Sequence, residues 1–225
     1  MRHVLMPPLS LTVFLAMPSA VPAQQADTVT LRPIVVTATR VPVPVDAAAS
    51  SVTVLTGREL QLRGIRTVAE ALRTVPGATV VETGSFGGQT SLFLRGGESD
   101  YVKVLVDGVP WNQPGGSFDF ADLTTDNVDR VEIVRGPASV LYGSDAVTGV
   151  IQIFTRTGQG APRVTGAARA GTYGSVNYEA GLVGDGGRAG YSVTVSQFRS
   201  DGLYPYNNEY RNTVEIGRAS CRERV

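Results

Sequence analysis

Catalysis is the first chemistry to test for, and the residues that would carry it do not assemble. The only histidine is His3, inside a leader-like stretch, so a histidine-based triad or a histidine metal site is closed to the chain downstream. Gly143-Ser144-Asp145 sets a hydroxyl beside a carboxylate, but it is not the Gly-x-Ser-x-Gly elbow and no base accompanies it. Glu98 and Asp100 are close in sequence, yet a carboxylate pair on a loop is more often solvated than poised for proton transfer. The stretch Gly184-Asp185-Gly186-Gly187-Arg188-Ala189-Gly190 lacks the strand-to-helix context of a phosphate loop and reads as a hairpin turn. Cys221 is the lone cysteine and has no internal partner. The expectation is a protein that is not an enzyme and holds no metal or cofactor.

Binding chemistry is better represented. Pro33-Ile34-Val35-Val36-Thr37-Ala38-Thr39-Arg40 is rich in residues that favour extended backbone, while Pro42 and Pro44 after it withhold N–H donors. Such a run is expected to be a strand without a sheet, open to pairing with a partner that offers an edge. Its plainer alternative is the first strand of the domain that follows. Two loops, 83–90 and 110–118, combine glycine with amides and flat apolar rings. Ser85, Phe86 and Gln89 in the first, with Trp111, Asn112 and Gln113 in the second, are the candidate ligand contacts. Composition alone favours ordinary turns with Trp111 as a packing anchor.

The elements around these loops follow from local signals. Residues 51–55 alternate like a strand. Thr56 with Glu59, and Thr67 with Glu70, form two capping boxes that open short helices, the second carried to Val75 and ended by Pro76-Gly77. Strands are expected at 78–82, 91–95 and 101–106, the last buried mainly on one face, then a turn at Asp107-Gly108. A strand at 128–135, a short helix from Gly136-Pro137 to Tyr142 and a strand at 150–155 complete a small α+β domain over 45–157.

Targeting and periodicity bracket this domain. Arg2, an apolar run at 9–16 and Val21-Pro22-Ala23 read as a secretory leader over 1–23, too short to span a membrane. Lys plus Arg and Asp plus Glu both total 20, so no nucleic acid is implied as a partner. From about 158 the pattern shifts to dyad alternation, at 163–172, 176–183 and 191–198, with Tyr173, Tyr178 and Tyr191 as interface-girdle candidates. This is the weak signature of transmembrane barrel strands, and a soluble sandwich is its alternative. Residues 215–225 show neither strand alternation nor a helical face. They back-translate to a common sequencing adapter, so this tail is expected to be non-native.

The ordered set of motifs resembles the start of a TonB-dependent outer-membrane receptor. It comprises Leu72-Arg73-Thr74-Val75-Pro76-Gly77, Phe93-Leu94-Arg95-Gly96 and Val106-Asp107-Gly108-Val109. It continues with the block 130–146 that opens Arg130-Val131-Glu132-Ile133-Val134-Arg135-Gly136-Pro137, and with Val147-Thr148-Gly149-Val150-Ile151-Gln152-Ile153. The resemblance implies a plug domain, a small mixed sheet with short helices, followed by the first strands of an antiparallel transmembrane β-barrel. The whole barrel would have about 22 strands, of which 158–214 would supply about three.

In that family 24–44 would be a periplasmic segment whose residues 33–39 (Pro33, Ile34, Val35, Val36, Thr37, Ala38 and Thr39) form the TonB box. The implied partners are TonB, outer-membrane lipid and a scarce ligand, cobalamin-like or a ferric siderophore, the cobalamin-receptor branch being the nearer likeness. The implied location is the outer membrane of a Gram-negative cell. Arg95, Glu132 and Arg135 would be structural, pairing within the plug or with the barrel wall. A signalling transducer is set aside because 24–32 is too short for a further folded domain. A soluble plug-like binding module and a passive porin remain as alternatives.

Overall fold

The computed structural model describes residues 35–36, 43–44, 48, 50–187 and 189–221. The leader reading, 1–23, lies outside these residues. Strand β1 (Val35–Val36) pairs antiparallel with β2 (Val43–Pro44) in a ladder of its own. The next elements are β3 (Ser51–Thr56), α1 (Gly57–Leu62) and α2 (Val68–Leu72). Both helices start as the capping boxes require. Thr56 Oγ1 accepts the Glu59 N–H at 3.2 Å, and Thr67 Oγ1 accepts the Glu70 N–H at 3.1 Å. The second helix ends at Leu72, short of the expected Val75, because the chain tightens there and Thr74 Oγ1 donates back to Ala71 O.

Hairpin β4 (Ala78–Glu82) and β5 (Thr90–Leu94) stands as a separate two-stranded sheet. Then come β6 (Val102–Val106), β7 (Val109–Pro110), β8 (Val128–Arg135), α3 (Ser139–Tyr142) and β9 (Gly149–Thr155). They form a mixed sheet in the order β3-β8-β9-β6-β7, with β6 and β9 parallel and the other pairs antiparallel. Leu60, Val68, Leu72, Leu92, Leu94, Val104, Ile133 and Ile151 fill the larger core, packed under α1 and α2. Each such fully buried side chain contributes about 1.5–3 kcal/mol.

A smaller cluster covers the opposite face: Leu105, Val134, Tyr142, Ala146 and Val150. Strand β6 is therefore buried on both faces, not mainly on one, because the 137–148 loop folds over the side that carries Leu105 and Lys103.

Four strands follow in antiparallel order: β10 (Arg163–Ala170), β11 (Val176–Asp185), β12 (Ala189–Ser200) and β13 (Tyr210–Cys221). That is one more than the periodicity suggested. Strand β13 runs into the tail read as patternless, where exposure in fact alternates from residue to residue. Register with β12 is carried by main-chain bonds that any non-proline residue can make, so the ladder extends whatever the origin of 215–221.

Polarity along β12 is inverted relative to a soluble sheet. Ser192, Thr194 and Ser196 are buried, while Val193 and Val195 are 47% and 40% exposed. Tyr178 and Leu182 on β11 are exposed in the same way, and Tyr173 is exposed at the β10–β11 turn. Tyr191 sits near the other end of the ladder, half-buried.

Candidate functional site

The strand-forming run near the N-terminus has a local partner. Val35 is opposite Pro44 and Val36 opposite Val43, so within the described residues the run is not wholly unpaired, as its sequence suggested. The ladder is two residues long and joins no other sheet. A two-residue pairing is far below the size of an independently stable sheet, so exchange for a longer partner strand costs little. Pro33, Ile34, Thr37, Ala38 and Thr39 lie outside the described residues.

The first loop is closed by its own main chain: Thr83 N–H donates to Gln89 O at 2.9 Å and Gly88 N–H to Ser85 O at 2.8 Å. Its exit is fixed by Asp119, whose Oδ1 accepts the N–H groups of Thr90 at 2.8 Å and Ala121 at 3.0 Å. Gln89 is exposed. Ser85 and Phe86 are exposed but engaged. Phe86 packs edge-on against Phe198 and Tyr210, with ring centroids 5.6 and 5.2 Å apart. With the Asn208 amide turned to satisfy both of its ends, its nitrogen donates to Ser85 Oγ at 2.9 Å.

In the second loop Gly116 N–H donates to Gln113 O and Gln113 N–H to Ser117 O, both at 2.9 Å. Trp111 is 45% exposed, and its N–H donates to Val104 O. Asn112 is different. Its Oδ1 accepts the Val104 N–H at 2.8 Å, and its Nδ2 donates to Val102 O at 2.9 Å and to Gly116 O. That side-chain amide acts as a piece of strand laid along β6, leaving Trp111 and Gln113 as the outward groups of this loop.

A cavity of about 430 Å³ opens between α2, the first loop and the wall strands, lined by Arg66, Glu70, Arg73, Phe86, Arg169 and Tyr210 among others. Its volume falls in the range of small-ligand sites. Arg73 is paired there with Glu82 and Arg169 with Glu179. It takes Phe86 from the first loop and none of Trp111, Asn112 or Gln113, so the two candidate loops do not converge on it.

Charged residues of the plug motifs are held internally. Glu132 is fully buried and accepts the Arg130 Nε–H at 2.7 Å, while the Arg130 guanidinium lies 3.9 Å over the Phe154 ring. Arg135 donates to Pro76 O at 3.1 Å, and the Arg95 guanidinium lies beside Gly136. Lys103 Nζ meets Asp145 Oδ2 at 2.7 Å and, with the Ser144 hydroxyl, holds the Asp145 carboxyl below the usual carboxylate range.

The mixed-sheet domain is tied to the four-stranded sheet at several places, one of them the Arg218 guanidinium of β13, which meets Asp107 Oδ1 at 2.7 Å and donates to Thr155 O at 3.1 Å. Ser192 Oγ donates to the buried Asn127 Oδ1 at 3.0 Å. Tyr210 Oη donates to Asp122 Oδ1 at 2.8 Å and Asn212 Nδ2 to Asp122 O at 3.1 Å. The ring contact of Phe86 is a further tie. None of Asp122, Phe198, Asn208 and Tyr210 was singled out from sequence. One signal was present: Phe198 interrupts an inward row of Ser192, Thr194, Ser196 and Ser200, and a lone ring among small hydroxyls calls for an apolar partner opposite.

Residues 44–150 match the TonB-dependent Receptor Plug Domain. Over 126 residues the chain is 36% identical to the vitamin B12 transporter BtuB of Vibrio vulnificus (strain CMCP6), a stretch covering 56% of this chain and 21% of that protein. In three dimensions it resembles the ferric yersiniabactin uptake receptor FyuA of Yersinia pestis, at 26% identity and a TM-score of 0.62, over 77% of this chain and 28% of the receptor. It shares the fold of the pyoverdine outer-membrane receptor FpvA of Pseudomonas aeruginosa PAO1, at 19% identity and a TM-score of 0.72, over 83% of this chain and 27% of the receptor. The chain thus spans about a fifth of the curated relative and just over a quarter of these solved receptors. With its mixed sheet, short capped helices and inverted-polarity wall, it carries the plug domain of a TonB-dependent receptor.

Proposed function

We propose that this chain is the gating end of an energy-coupled outer-membrane transporter for a scarce, large ligand. The observation that carries the reading is the polarity of β12, hydroxyls toward the plug and valines away from it. A soluble plug-like module would bury the valines instead. A wall that faces hydrocarbon outside and a polar plug inside is the arrangement of a plugged outer-membrane barrel. Four strands leave open edges that lipid does not tolerate, so the function belongs to the closed barrel of the whole receptor.

In this reading 24–44 is a periplasmic segment and 33–39 adds a strand to TonB, exchanging the short β1–β2 ladder for a longer one. Force on that strand is delivered to the plug, residues 45–157, and opens a path beside it. Gln89, Trp111 and Gln113 present amides and a flat ring to the ligand, Asn112 fixes the loop that carries Trp111, and Ser85 and Phe86 contribute from the first loop. A cobalamin-type ligand is favoured by the identity to a vitamin B12 transporter, with a ferric siderophore as the second reading from the resemblance to siderophore receptors.

The experiment is uptake of labelled cyanocobalamin and of a ferric-siderophore panel by cells producing the full-length receptor, with and without functional TonB. Saturable uptake that needs TonB supports the reading. Uptake that persists without TonB would make the protein a passive porin.

A further inference from the structure

We propose that Phe86 is a positioning residue: with Phe198 and Tyr210 it forms an aromatic clasp that fixes plug loop 83–90 to the β12–β13 hairpin and sets where Gln89 is presented. The functional half of this proposal rests on the reading of that loop as ligand-facing; the structural half does not.

The rings form a closed triangle, because Phe198 and Tyr210 also approach each other at 5.9 Å between centroids. Phe86 meets Tyr210 nearly at right angles, 86°, and Phe198 at 61°, the edge-to-face arrangement in which ring quadrupoles attract. Loop backbone takes part as well. A Cβ on Gly87 would run into the Tyr210 ring, and Gly87 has a φ of +83°. Glycine there lets the tyrosine ring lie directly on the loop.

Tyr210 is itself held by the plug, its hydroxyl bonded to Asp122 Oδ1 while Asn212 on the same strand grips Asp122 O. Asn208 reaches Ser85 from the same hairpin. Thus the ring, Gly87 and Ser85 contacts join loop 83–90 to the β12–β13 hairpin, the Asp122 bonds anchor the same hairpin beside it, and none involves the second candidate loop. Leu203, Tyr204 and Tyr206 at the tip of that hairpin remain exposed, so the aromatic contacts grip the strands just below the tip and not the tip itself. With Phe86 turned to the wall, the loop directs Gln89 outward.

Hydrogen exchange of the full-length receptor in outer-membrane vesicles tests the clasp without any ligand. Phe86→Ala and Phe198→Ala are each expected to speed amide exchange in 83–90 roughly tenfold while leaving β8 and β9 as protected as in the parent. Phe86→Tyr, which keeps the ring, is expected to restore slow exchange. Unchanged exchange in 83–90 for Phe198→Ala, or faster exchange across β8 and β9 as well, would overturn the clasp.

Cyanocobalamin is the binding probe for the functional half. Weaker binding in Phe86→Ala that Phe86→Tyr restores supports the positioning role, and binding unaffected by a loosened loop overturns it. Failure of the parent receptor to bind cyanocobalamin or any siderophore of the panel overturns the ligand reading and leaves the exchange result to decide the clasp.

Discussion

Asn112 and Val104 pair as two strand residues would: the Asn112 Oδ1 takes the Val104 N–H at 2.8 Å, beyond the point where β7 stops covering β6. With its Nδ2 on Val102 O, the side chain completes the β6 edge. Neighbouring Trp111, by contrast, leaves nearly half its surface to solvent.

The two residues should therefore separate in mutagenesis. Asn112→Ala leaves main-chain groups of β6 without their partner and is expected to destabilise the plug by about 1–3 kcal/mol, read by denaturant unfolding of the purified receptor. Trp111→Ala is expected to leave stability within about 0.5 kcal/mol and to weaken ligand binding by about 2 kcal/mol, read by titration. Equal stability loss for both, with no change in binding, would return the loop to the role of an ordinary turn.

Lys103 and Asp145 give the plug an acid-sensitive contact. The folded-state pKa of Asp145 is depressed below its ordinary 3.8, chiefly by the Lys103 bond and then by Ser144. A depressed carboxylate stabilises the fold above the unfolded-state pKa and loses that contribution as pH falls through the folded value. The 137–148 loop is thus expected to stay closed at neutral pH and to loosen only below about pH 4. Asp145→Asn should remove this pH dependence and cost about 1 kcal/mol at pH 7, measured by thermal unfolding across pH.

Arg130 and Glu132 form the plug's most buried ion pair, with Glu132 fully inaccessible. Removing one member of such a pair is far costlier than replacing both. Arg130→Ala is expected to destabilise by about 3 kcal/mol, and a joint Arg130→Met, Glu132→Leu exchange to recover most of that, as measured by chemical denaturation.

Much of the fold was legible because its signals are local. Thr56 and Thr67 name their helices through side-chain bonds three residues ahead, and the valines of β8 and β9 declare themselves by type. The β12 wall was legible through alternation, which reports the period of a strand but not which face is wet. Burial on both sides of β6 was not legible, since it depends on a loop forty residues later folding back through Asp145 onto Lys103.

The candidate site was half visible. Amides and rings marked both loops, but whether an amide faces a ligand or its own main chain is decided by contacts such as Asn112 to Val104, which no spacing encodes. Phe86 was visible as an exposed ring, and its partners, more than a hundred residues away, were not.

The tail carries its own prediction. Pairing of 215–221 with β12 depends on main-chain bonds and so is silent on origin. We expect an independent clone of the gene to depart from residues 215–225 and to continue as an alternating strand with a hydrocarbon-facing row. The same eleven residues, encoded by codons unrelated to an adapter, would contradict this.

Energy coupling through the N-terminal run is the central claim, and Val36→Pro in the full-length receptor tests it most directly. Proline removes the N–H that strand pairing needs and blocks augmentation at that position. Uptake and binding of labelled cyanocobalamin are measured on the same cells. Lost TonB-dependent uptake with undiminished surface binding is the predicted result. Undiminished uptake in the Val36→Pro receptor would contradict the account.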